Sequence, residues 1–115
     1  MATWLRGLYY GNSWFTEIDK PIFMDRYWHV LNALLKKPGV VVVIACLKED
    51  PDTILGYAAI EPEASVLHWV FVKEAYRKLG VTKLLFKKED LKTITHLTKL
   101  GKILKPKHVK FNPFI

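Results

Sequence analysis

Cysteine is all but missing from this 115-residue chain, in which Cys46 stands alone. A single thiol excludes an internal disulfide and any Cys-rich zinc pattern. Its setting in the apolar run VVVVIACL suits a buried strand residue better than a nucleophile. The histidines, His29, His68, His96 and His108, contain no His-x-x-x-His pair, so no metal site is expected. No stretch approaches the roughly 18 consecutive apolar residues of a membrane span. The start of the chain lacks the basic region and apolar run of a signal peptide, so a soluble cytoplasmic protein with no membrane partner is expected. Neither a Gly-x-Ser-x-Gly nor a Walker sequence is present, which argues against a hydrolase or a nucleoside triphosphatase. Internal repeats and low-complexity tracts are absent as well.

Apolar side chains are abundant: they make up 50% of the residues, and aromatics alone make up 13%. A chain this apolar packs a core, and its length suits one domain over residues 1–115. The formal charge of +7 favours anionic partners, whether nucleic acid, an acidic lipid surface or a phosphorylated cofactor, and does not choose among them.

Residues 1–16 are rich in aromatics (Trp4, Tyr9, Tyr10, Trp14, Phe15), and a short helix from about Thr3, with Thr3 as its candidate cap, would end at the Gly11-Asn12-Ser13 turn. So aromatic a segment suits core or a subunit interface, and the chain is expected to be a monomer or a homodimer. Asp19 and Pro21 then start a helix that runs to about Lys36, with Phe23, Tyr27, Val30, Leu31 and Leu34 on one face and Pro38-Gly39 as its stop. Arg26, His29, Lys36 and Lys37 fall on its solvated faces. Residues 40–47 form a β-branched run expected to be buried on both faces, and residues 53–60 form a second strand across a polar, Pro51-containing loop. After the turn at residues 61–65, VLHWVFV at 66–72 reads as the central strand, KEAYRKLG as a loop, and VTKLLF as a helix with Val81, Leu84 and Leu85 at helical spacing. Residues 92–98 alternate like another strand, and residues 108–111 suit a short last one. This order predicts an α+β fold, with a hairpin followed by a strand-helix-strand unit in a mixed sheet.

A strand-loop-helix junction aims backbone N–H groups and the positive end of a helix dipole at an anion. Here the loop is Arg77-Lys78-Leu79-Gly80-Val81-Thr82. It resembles the acyl-CoA pyrophosphate loop of the GNAT acyltransferase superfamily, Gln/Arg-x-x-Gly-x-Gly/Ala, with Thr82 in place of the final small residue. The resemblance covers about residues 17–98, and the trimmed outline is similar to small GNAT-like proteins of bacteriophages, some of which modify DNA bases. It implies a GNAT-like mixed sheet and acetyl-CoA, or another acyl-CoA, as cofactor. Arg77, Lys78, Leu79, Gly80, Val81 and Thr82 would then bind pyrophosphate, chiefly through main-chain N–H groups, and Val70 and Val72 would offer main-chain groups to the pantetheine arm. That arm would lie between the central strand and residues 94–98. The activity implied is transfer of an acetyl-type group to an amine on an unidentified acceptor.

Such a transfer needs a base for the amine and an acid for the departing thiolate. Family members often use a carboxylate and a tyrosine that follows the next strand. The last tyrosine here is Tyr76, ahead of the loop, so that acid is absent. Glu61 and Glu63, after the strand that ends at residue 60, are candidate bases, as are His68 and His96 on the strands flanking the gap. His96 is the preferred histidine because its strand borders the gap, and Thr98 faces the same way two residues on. A histidine within a strand is also commonly a packed, hydrogen-bonded core residue. The alternative function is a non-catalytic GNAT-like protein that binds nucleic acid or a protein partner through the basic tail, Lys99, Lys102, Lys105, Lys107 and Lys110.

Overall fold

The computed structural model describes residues 2–98 and 105–114. Within them the chain is a small α+β fold with three helices and a five-stranded mixed sheet. Helix α1 spans Ala2–Tyr10 and α2 spans Lys20–Lys36. Asp19 sits at the N-cap of α2, although its side chain makes no capping bond. Pro21 occupies the first turn, where its missing N–H costs nothing. At the far end Pro38 and a left-handed Gly39 stop the helix. Thr3 lies inside α1 rather than capping it, and its hydroxyl bonds the Tyr57 hydroxyl at 2.7 Å.

The sheet order follows the sequence: β1 (Val41–Cys46), β2 (Ile54–Glu61), β3 (Val66–Val72), β4 (Thr93–Ile94) and β5 (Lys110–Phe111). The first three strands are antiparallel, and β4 and β5 each pair in parallel with their predecessor. Between β3 and β4 come the loop and α3 (Val81–Leu85). A helix of so few residues is unstable alone. Val81 and Leu85 are buried, and each contributes about 2 kcal/mol by leaving water.

The side-chain alternation of β2 divides the core into two. Ala59 packs with Trp4, Leu8, Phe23, Leu31 and Trp69 beneath α1 and α2. Its neighbour Ala58 packs with Leu67, Val81, Leu85, Ile94 and Val109 beneath α3. Trp4 stacks on Trp69 with ring centres 5.7 Å apart. Gly7 allows that approach, because a Cβ there would come within 2.8 Å of the Trp69 ring.

Several expectations are corrected. β1 is an edge strand rather than a strand buried on both faces: it pairs with β2 alone, and Val41, Val42 and Ile44 are exposed. Cys46 is exposed for the same reason. The apolar face of α2 buries Phe23 and Leu31 but leaves Val30 at 51% exposure, and Leu84 of α3 points outward at 73%. The strand expected over residues 92–98 pairs only at Thr93–Ile94. Of the basic tail, Lys99 and Lys102 lie outside the described residues.

Candidate active site

Strands β3 and β4 pair at Val66 with Thr93 and at Leu67 with Ile94. One more bond, Thr95 N–H to the Leu67 carbonyl at 3.1 Å, follows. Beyond it the two segments separate. A cleft of about 590 Å³ opens between them, lined by residues of 67–72 on one side and by Ile94, His96, Leu97 and Thr98 on the other. Gly7 and Gly11 of the α1 end form part of its wall, and Arg77, Thr82, Phe86 and Lys88 close it on the α3 side. Gly11 is required by contact: a Cβ there would lie 2.5 Å from the Gly7 carbonyl oxygen and 2.7 Å from the Thr98 methyl.

The loop after β3 contains two left-handed residues, Lys78 at φ 65° and Gly80 at φ 83°. Glycine adopts that conformation without strain, which accounts for Gly80 at the start of α3. Of the residues expected to bind a pyrophosphate, Arg77 and Thr82 line the cleft, as do Val70 and Val72. Lys78, Leu79 and Gly80 are exposed beside it, and Val81 is buried in the α3-side core. The Arg77 guanidinium turns back, with Nε donating to the Val72 carbonyl at 2.9 Å.

At the closed end of the cleft, polar side chains form a continuous chain. Lys37, at the end of α2, donates from Nζ to Glu61 Oε1 at 3.0 Å. The same oxygen lies 2.8 Å from His68 Nε2. His68 Nδ1 lies 2.7 Å from Thr95 Oγ1, which is 3.0 Å from His96 Nδ1. The His96 ring stands edge-on to Trp4 and Tyr27. His68 is 1% exposed, Thr95 4% and Glu61 8%, so water cannot replace these bonds. Burial alone would raise the Glu61 carboxyl, but hydrogen bonds from His68 and Lys37 and their charges hold it below its ordinary value. His96 moves from 6.5 down to about 4: burial is the main cause and the nearby His68 charge the second, against a hydrogen bond with the His68 backbone. Burial also raises the Tyr27 phenol, so Tyr27 stays neutral beside it.

The candidates from sequence thus separate. His96 and Thr98 both reach the cleft wall. Glu61 instead faces inward onto His68, and Glu63 is exposed in the turn. Lys37, expected on a solvated face, joins the chain of polar groups through Glu61. Sequence reading missed Thr95, Lys37, Gly7 and Gly11. Thr95 carried a faint signal as a hydroxyl beside His96, whereas the role of Lys37 depends on where α2 ends relative to β2. Among the described residues no group of histidine, cysteine and carboxylate side chains could hold a metal ion, and no helix is long and apolar enough to cross a membrane.

Comparisons with protein-family models, curated proteins and solved structures found no match to this chain.

Proposed function

We propose that this chain is a GNAT-like acyltransferase that takes acyl-CoA in the cleft and moves an acetyl-type group to an amine. The observation that carries the reading is the separation of β3 and β4 just after Leu67 and Ile94, which leaves a cleft between parallel segments. Its walls are mainly apolar, which suits a pantetheine arm, and the cationic residues Arg77 and Lys88 stand on the α3 side, which suits phosphates. Arg77 and Thr82, with the backbone of residues 77–82, would hold the pyrophosphate, and the main chain of Val70 and Val72 would hold the arm. The thioester supplies an activated carbonyl carbon and a sulfur leaving group.

His96 suits the role of base. With its pKa lowered to about 4, it is neutral at physiological pH and has a nitrogen free of positive charge for an incoming amine. Thr98, beside it in the wall, orients the acceptor. Much of the rate enhancement comes from positioning the two reactants in one cleft.

Calorimetric titration with acetyl-CoA tests the reading on wild type and on Gly80→Trp. No atom lies within 4 Å of a Cβ at Gly80, so the indole enters open space at the loop, and the left-handed backbone adds about 1–2 kcal/mol of strain. Micromolar binding in wild type, lost in the folded variant, is expected. Equal affinity in the two proteins would refute the site. Absence of binding at millimolar acetyl-CoA would refute the enzyme and turn attention to the alternative, nucleic acid binding, whose affinity must fall steeply with salt.

A further inference from the structure

An imidazole with a pKa of about 4 is a weak base, so a proton taken by His96 must move on. The geometry points to a proton relay from His96 through Thr95 to the buried His68–Glu61 pair, and we propose that it lets His96 alternate between base and acid. The relay rests on the acyl-transfer reading for its substrate.

Proton counting carries the inference. Thr95 Oγ1 lies within hydrogen-bond distance of both Nδ1 atoms, 2.7 Å from His68 and 3.0 Å from His96. A hydroxyl has one proton, so it can donate to one ring and must accept from the other. The Glu61 carboxylate only accepts, which fixes a proton on His68 Nε2, 2.8 Å away. Two arrangements satisfy these three side-chain contacts. In the first, His68 is neutral, Thr95 donates to its Nδ1, and His96 donates Nδ1–H to Thr95, leaving His96 Nε2 bare as a base. In the second, His68 is an imidazolium that donates from both nitrogens, Thr95 donates to His96 Nδ1, and His96 carries its proton on Nε2. Each histidine's state dictates the other's.

During transfer, His96 Nε2 takes the amine proton. Its Nδ1 proton passes to Thr95 Oγ1, whose own proton passes to His68 Nδ1. The positive charge then rests on His68 beside Glu61, while His96 stays neutral with an N–H directed from Nε2. When the sulfur departs, His96 gives it that proton, and the two relay protons return. No charge or proton is left over, and the acid missing with the absent tyrosine is supplied by the same ring that served as base. Thr95 and His68 act through His96 and are positioning residues. Among the described residues, the other charged or titratable groups with contacts to this chain of side chains are Lys37, which reaches it through Glu61, and Tyr27 of α2 against His96.

The test is nitrogen NMR of the imidazoles in the free protein across pH, on wild type, Thr95→Val and Thr95→Ser. Wherever His68 carries a proton on Nδ1 the His96 proton should sit on Nε2, and wherever His68 Nδ1 is bare it should sit on His96 Nδ1. Thr95→Val should uncouple the two rings, and Thr95→Ser should keep them coupled. A His96 tautomer that does not follow the state of His68 Nδ1 would overturn the relay, and wild type alone decides this if Thr95→Val does not fold. The free protein answers this without acyl-CoA, so coupled tautomers with no acetyl-CoA binding would leave the relay standing and remove the transfer reading.

Discussion

Acid should weaken this fold as the pH falls below about 6.5, and His96 should be a main cause. In the unfolded chain its imidazole binds a proton with the ordinary pKa of 6.5, whereas the folded protein resists that proton until about 4. The unfolded state therefore binds more protons as the pH falls between those values, and stability falls with it. At about 1.4 kcal/mol per pKa unit, the loss reaches roughly 2 kcal/mol near pH 5 and roughly 3 kcal/mol once both states are protonated. Against the typical 5–15 kcal/mol of a small domain, such a loss is easily measured. Urea unfolding of wild type and His96→Phe from about pH 7.5 to about pH 5 reads it directly, since phenylalanine keeps a ring against Trp4 and Tyr27 but cannot titrate. The variant should lack most of the slope. Glu61 adds a separate loss: its pKa is lowered, so its contribution is present at neutral pH and disappears only as the pH falls through its folded value, below the ordinary 4.5. Parallel slopes for the two proteins above about pH 5 would refute the assignment of a buried, neutral His96.

Glu61→Gln should cost about 1–3 kcal/mol at neutral pH in denaturant melts, because it leaves Lys37 without a counter-charge and weakens the bond to His68, and the difference should shrink in acid. Gly11→Ala should cost a similar amount, about 1–3 kcal/mol, since its Cβ would press on the Gly7 carbonyl oxygen and Thr98, and the melting temperature should fall accordingly. Cys46 should react with a thiol reagent in the native protein about as fast as in the unfolded one, because it is exposed on the outer strand.

What the sequence reveals tracks what local pattern can encode. The caps and periodicity of residues 20–36 mark α2, and the alternation of apolar side chains marks β2 and β3. The edge position of β1 was hidden: a run of β-branched residues reads alike at the edge and in the middle of a sheet, and only the strand order leaves β1 with a single neighbour. The short β4 was hidden too, because alternation at residues 92–98 persists after pairing with β3 stops. In the site, His96 and Thr98 were legible as polar groups on a strand beside a gap. The pairing of Glu61 with His68 was not, since it joins the last residue of β2 to the interior of β3 across a register shift near Ala59. Thr95 gains its position only when β4 settles beside β3, a parallel contact separated by the loop and α3.

Acyl-CoA binding in the cleft between β3 and residues 94–98, as proposed above, is open to a direct test. Titration of acetyl-CoA into nitrogen-labelled protein, followed by amide NMR, tests it most directly. Saturable shifts are expected to concentrate at Val70, Val72, residues 77–82 and residues 96–98, with the outer strand β1 unmoved. Shifts absent at millimolar ligand, or confined to β1 and the exposed face of α2, would contradict it.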